Sequence, residues 1–218
     1  MNSPTTILDE IAPAFAGRLL RPDESGYDEA RKVHNGLIDK RPSLIAQCRG
    51  MADIADAVGL GRSLGVEIAV RGGGHNPAGR ATTNGGLMID LSQMRSVLVD
   101  PVRRTARVQG GALWKDVNRE TQAYGLAVTG GAIGTTGVGG LTLGGGLGWL
   151  MAKHGMTLDN LLSVDLVLAD GSLGTQQSEF VVVEAPNSSK TRAEVREELA
   201  DYQIVHRNTS INSVYFGA

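Results

Sequence analysis

Apolar and polar positions along the chain change period several times, and each change marks an element. Over residues 52–64, Ile54, Ala57, Val58 and Gly61 recur at i, i+3, i+4 and i+7, the spacing of one helical face. Short strands are predicted on either side, at 42–46 and at 66–70, and the second runs directly into RGGGHN. Three more apolar stretches, 87–91, 96–100 and 105–109, are separated by polar turns and read as strands of a sheet. A second amphipathic helix is predicted over 112–124, with Trp114, Val117, Thr121 and Tyr124 on one stripe. Strands are expected at 127–129 and 163–169, and Asp170-Gly171 is a turn signal of the hairpin type. A helix is expected at 7–15, ahead of an irregular stretch at 21–23. Strands and helices interleave, so the class is mixed.

Beyond about residue 174 the patterning fails. Thr191 and Glu194 have the spacing of a capping box, but only Val195 and Leu199 could form an apolar side for that segment. An isolated helix of such length is marginal in water. Residues 187–218 are therefore expected to be weakly packed or disordered.

Charge and composition narrow the function. A formal charge of −2 and the absence of any Lys/Arg block argue against nucleic acid or a membrane surface as partner. No apolar run approaches the roughly 20 residues of a spanning helix, and the N-terminus lacks a basic-then-apolar signal pattern. A cytoplasmic location is expected. Cys48 is the one cysteine, which excludes an internal disulfide framework and a cysteine-based metal cluster; it reads as a small buried apolar residue.

Glycine changes the picture most. The 30 glycines are about twice average usage, and they concentrate in two segments. The first is VRGGGHN (70–76), where consecutive glycines at a strand end let backbone N–H groups converge on an anion. The second, 130–148, spaces Leu, Val and Trp among its glycines, unlike a flexible linker, and suits backbone approaching a large polar ligand. Neither is a Rossmann fingerprint, because His75-Asn76-Pro77 starts a helix poorly, and no Gly-Lys-Ser/Thr supplies a Walker loop. Arg71 at the head of the first loop has two readings, a phosphate partner or the partner of a carboxylate.

Taken in order, HNGLIDKRPSLIAQC, VRGGGHN, GGLMIDLSQM, VDPVRRTARVQGGALWKDV and GLTLGGGLGWLMAKHGMTLDNLLSVDLVLADG resemble the berberine-bridge-enzyme-like branch of FAD-linked oxidases. The likeness runs over about residues 19–173. It implies an α+β, two-subdomain FAD-binding fold of the PCMH type, related to vanillyl-alcohol oxidase, with the substrate domain absent. The expected organisation is a helical lead-in at 1–33, the FAD-binding domain at 34–175 and a non-family tail at 176–218.

By the same resemblance, Arg71, Gly72, Gly73, Gly74, His75 and Asn76 form the pyrophosphate loop, with His75 covalently bonded to the flavin 8α-methyl carbon. Gly130, Gly131, Thr135, Thr136, Gly137, Gly139, Gly140 and Gly144 would lie along the flavin and its phosphates. Asp159 and Asn160, in the DNLLS segment, would sit beside it. Some family members add a second bond from a cysteine in the glycine segment. Ile133 stands at that position here, so a single link is expected. His34 replaces a family aromatic and reads as packing, His154 as a surface-turn residue, and Trp114 and Trp149 as core.

For an intact enzyme the resemblance implies hydride transfer from an alcohol, sugar or amine to FAD, with oxygen as the final acceptor. FAD and a small-molecule substrate are the implied partners. After ADGSL the resemblance ends, so a truncated or fused form is expected, and no general base is identified. Three readings stay open at this point: an oxidoreductase, a flavin-binding module without turnover, and a nucleotide- or sugar-binding domain that shares only the glycine loops.

Overall fold

The computed structural model describes residues 14–177. Its centre is a four-stranded sheet in the order β1-β2-β4-β3, where β1 is Arg18–Leu20, β2 Leu44–Gln47, β3 Ile68–Arg71 and β4 Leu87–Asp90. Strands β2, β4 and β3 run parallel, and β1 adds antiparallel to the outer edge of β2. The burial of β4 explains its unbroken apolar run. Leu87, Met88 and Ile89 are each at most 1 % exposed because both faces of the strand are covered.

Alternate residues go to opposite layers. Leu44, Ala46, Leu87 and Ile89 pack with Ala57 and Leu60 of helix α2 (Met51–Leu64), while Ile45 and Met88 pack with Leu20, Tyr27 and Ala30 around the short helix α1 (Tyr27–Ala30). Helix α2 begins where the buried Asp53 carboxylate accepts hydrogen bonds from Ala16 N (2.9 Å) and Arg49 N (2.8 Å). It ends at Gly65, whose φ of 64° closes the last turn in the left-handed conformation. Cys48 lies in the first layer with no exposed surface, and burial, followed by the charges of Asp53, Asp90 and Asp56, pushes its thiol up to about 12.

The second half of the chain is built from two hairpins and short helices. Strands β5 (Val97–Asp100) and β6 (Thr105–Val108) pair antiparallel, as do β7 (Ser163–Val167) and β8 (Leu173–Gln177). Asp100 Oδ1 closes the first turn by accepting from Val102 N (3.0 Å) and Arg103 N (2.9 Å). Asp170 Oδ1 does the same for Ser172 N (2.9 Å) in the second. Arg107 on β6 reaches Asp165 on β7 at 2.7 Å and ties the hairpins together. Helices α3 (Trp114–Gln122), α4 (Val138–Leu143) and α5 (Met151–His154), with a 3-10 turn at Leu158–Asn160, fill the span between them.

Several expectations need correction. The runs at 87–91, 96–100 and 105–109 do not share a sheet: the first is central in the four-stranded sheet and the other two pair only with each other. Residues 127–129 form no strand, for lack of a partner. Tyr124 lies beyond the end of α3 and is 53 % exposed, while Trp114, Val117 and Thr121 are buried as expected. Trp149 is not core but 87 % exposed. Of the helix expected at 7–15, residues 7–13 lie outside the described residues, as does the segment 187–218. Residues 14 and 15 are not helical.

Candidate functional site

The parallel strands end together, and their last residues interlock. Arg71 of β3 sends Nε and Nη2 to the two oxygens of Asp90 of β4 (2.9 and 3.0 Å), and Gln47 of β2 donates to Asp90 at 3.0 Å. Ser92 adds its N–H (3.0 Å) and hydroxyl (2.9 Å) to the same carboxylate, which has no exposed surface. Arg71 also donates to Lys32 O at 2.7 Å. Its guanidinium therefore frames the end of the sheet by pairing a carboxylate.

From this frame the loop 72–76 turns outward, and it meets the second glycine segment at one point. A Cβ placed on Gly73 would lie 2.3 Å from Gly137 N and 2.5 Å from Gly137 Cα, and one placed on Gly137 would lie 2.4 Å from Gly73 N. No side chain fits at either position, so the two backbones cross in direct contact. Gly137 is held there from behind. Its neighbour Val138 donates to Ala112 O (2.9 Å), Trp114 N donates to Thr136 O (3.0 Å), and Lys115 N donates to Gly134 O (2.9 Å).

Two residues from the crossing on each side, the loops bring His75 opposite Thr135. His75 Nε2 lies 3.1 Å from Thr135 Oγ1. One face of the imidazole is covered by His34, whose ring stacks on it with centroids 3.9 Å apart and planes within 13°. A backbone bond from His34 N to Gly74 O (2.9 Å) holds that stack. Partial burial, and after it the neighbouring His34, lower the His75 pKa, which favours the neutral ring. Asn76 turns its Oδ1 back onto Ala78 N and Arg80 N (3.0 and 3.2 Å) and so shapes the loop after the histidine.

The remaining expected residues fall into groups. Gly130 and Gly131 lie against the Trp114 indole; a Cβ on Gly130 would approach its Cζ3 to 2.2 Å. Thr136 closes the 133–136 turn through its N–H to Ile133 O (3.1 Å). Gly139 and Gly140 lie within α4, and Gly144 caps it. Asp159 accepts from Met156 N (2.8 Å), while Asn160 donates to His154 O and Met156 O (2.9 and 2.8 Å). These two side chains build their own turn, which reaches the glycine segment through Leu158 N to Gly145 O (3.0 Å) and Thr157 N to Gly146 O (2.9 Å).

A cavity of about 200 Å³ lies beside the crossing, lined by Arg71, Gly72, Gly73, Ser92, Arg95 and Gly111. It is smaller than the roughly 300–1,000 Å³ of a complete ligand pocket. Arg95, like Arg71, faces a carboxylate, with Nε 2.9 Å from Asp116. Among the described residues the backbone N–H groups of Gly72, Gly73, Gly74 and His75 donate to no protein acceptor. Such a row suits a phosphate group. Sequence reasoning passed over His34, Ser92 and Arg95 as site residues. It also passed over Gly110-Gly111, although a glycine pair directly after a strand was a usable signal.

Residues 42–175, more than half of the chain, match a family model described as an FAD binding domain. The chain belongs to that family. This FAD-binding domain is 41 % identical over 160 residues to (R)-6-hydroxynicotine oxidase of Paenarthrobacter nicotinovorans, covering 73 % of this chain and 35 % of the relative. It is 39 % identical over 154 residues to glucooligosaccharide oxidase of Sarocladium strictum, covering 69 % and 31 %. Among solved structures, 6-hydroxy-D-nicotine oxidase of Arthrobacter nicotinovorans superposes with a TM-score of 0.74 at 39 % identity, over 75 % of this chain and 36 % of the other.

A glucooligosaccharide oxidase of Acremonium strictum, whose FAD is described as 6-S-cysteinyl, 8α-N1-histidyl, superposes with a TM-score of 0.72 at 35 % identity over 81 % and 37 %. The FAD-binding domain thus spans about a third of the length of these relatives, which are berberine-bridge-type and PCMH-type FAD oxidases. Among the described residues no helix is long and apolar enough to cross a membrane.

Proposed function

We propose that the FAD-binding domain carries FAD through one covalent bond, at His75, and serves an oxidoreductase that passes hydride from an alcohol, sugar or amine to the flavin and then to oxygen. The observation that carries this reading is the crossing of Gly73 and Gly137, which sets backbone N–H groups without protein acceptors beside an oriented imidazole whose lowered pKa favours the neutral ring. The residues fit the cofactor. The N–H groups of 72–75 would hold its phosphates, and His75 would hold its isoalloxazine end. When bound, FAD would supply the two-electron chemistry, and the protein its placement.

The single link rests on Ile133 and Cys48. Ile133 is 59 % exposed in the turn beside Thr135, so no thiol stands there. Cys48, the one cysteine, is fully buried in the sheet layer and out of reach of a ligand at the loops. A cysteinyl bond has no candidate atom.

Intact mass of the purified chain, before and after acid precipitation, tests the reading. One added FAD that survives acid, and that is lost in His75→Ala, is the expected result. A colourless chain of apo mass would instead favour a different nucleotide or a sugar as ligand. If the chain is yellow but no alcohol, sugar or amine bleaches it without oxygen, flavin binding stands and turnover by this chain does not.

A further inference from the structure

The structure holds the His75 ring by one nitrogen only. Nε2 is 3.1 Å from Thr135 Oγ1, whereas Nδ1 has no protein partner among the described residues. The ring cannot easily swing, because His34 stacks on its face. Thr135 is equally fixed, at the third position of a turn closed by Thr136 N to Ile133 O (3.1 Å) and pinned to α3 by Lys115 N to Gly134 O (2.9 Å). We propose that Thr135 is the positioning residue for flavin attachment: its hydroxyl engages Nε2 and so assigns bond formation to Nδ1. This rests on His75 being the anchor, as argued above.

The chemistry explains why a hydroxyl stands there. In the neutral ring that attacks through Nδ1, the proton is on Nε2, and Thr135 Oγ1 accepts it. Attachment forms an Nδ1–C bond to the 8α carbon and breaks one C–H bond of that methyl group. The methyl proton and the Nε2 proton both leave. The electron pair passes through the flavin to molecular oxygen, which becomes hydrogen peroxide and takes up two protons. Afterwards Nδ1 is substituted and Nε2 is a bare acceptor, so the partner that accepted must now donate. Among side chains of this size Ser and Thr do both well, whereas Cys is only a weak donor and a weak acceptor. Valine can do neither, and an amide or carboxylate would have to turn or change charge.

The test loads apo chain with FAD in air and follows acid-stable flavin against time, in wild type, Thr135→Ser, Thr135→Val and His75→Ala. The linked atom is read by NMR of the flavopeptide from ¹⁵N-histidine-labelled chain, through coupling of the 8α methylene to one ring nitrogen. Wild type and Thr135→Ser should link through Nδ1 at comparable rates. Thr135→Val, a surface change that should leave thermal unfolding unmoved, should load at least ten times more slowly and give a mixture of Nδ1 and Nε2 adducts. Linkage of the wild type through Nε2 overturns the proposal while the anchor stands. So does a Thr135→Val chain that loads at the wild-type rate through Nδ1 alone. Covalent flavin in His75→Ala, or none in wild type, overturns the anchor itself.

Discussion

Removing Asp90 should be the most damaging single change at the site, and the structure allows its size to be worked out. The carboxylate is wholly buried and takes five hydrogen bonds, two of them from Arg71, whose side chain is only 14 % exposed. Asp90→Ala leaves that guanidinium enclosed without a counter-charge, a situation that costs about 3–5 kcal/mol. Urea unfolding followed by fluorescence suits the purpose, since Trp114 is 2 % exposed and Trp149 already 87 % exposed, so a change in emission reports Trp114. With a slope of about 1–3 kcal/mol/M, the midpoint should fall by roughly 2 M.

Replacing both partners, as Arg71→Met with Asp90→Leu, should recover most of the loss, because a buried pair is worth little more than apolar residues of similar volume. Arg107→Ala is the control: that guanidinium is 78 % exposed, and breaking its pair with Asp165 should cost about 1 kcal/mol or less. An Asp90→Ala midpoint no lower than that of Arg107→Ala would refute the reasoning.

Three further outcomes follow from the same geometry. Gly137→Ala forces a methyl group onto Gly73, which should cost about 1–3 kcal/mol by overpacking and cut acid-stable flavin in intact mass well below wild type. Because the folded-state pKa of His75 is depressed, the unfolded chain binds more protons just below the ordinary histidine value of about 6.5. Stability from this group is thus full above that pH and lost as pH falls towards the folded value; urea midpoints from pH 7.5 to 5 should slope less in His75→Gln. Cys48, fully buried and with its thiol pushed up to about 12, should resist an aromatic disulfide reagent at pH 8 until the chain unfolds.

Much of the fold was legible because its strongest elements obey simple periods. Helix α2 shows in its apolar spacing, and β4 in a run that only a strand covered on both faces would carry. Strand β1, with three residues and one of them buried, has too little pattern to read. Helix α4 was missed for a different reason. VGGLTL holds two glycines, poor helix formers, and tertiary bonds such as Val138 N to Ala112 O stabilise what propensity would not. The false strand at 127–129 has β-prone residues, but pairing depends on a neighbour that period alone cannot name. The same limit hid the split between the central sheet and the β5–β6 hairpin. At the site, His75 stood out through its glycine loop. His34 did not, because its place on the imidazole depends on Gly74 and on a chain path that only the folded structure shows.

The His75–Thr135 contact joins residues 60 positions apart, whereas β3 and β4 lie within about 20 of each other. Closing the larger loop costs more entropy, which favours early formation of the β3–β4 pair over the His75–Thr135 contact. On the ribosome the difference becomes one of timing. VRGGGHN emerges before the segment that carries Gly137, so the His75–Thr135 contact waits for about 60 further residues. The crossing of the two glycine segments is therefore completed only after the parallel strands have been synthesised.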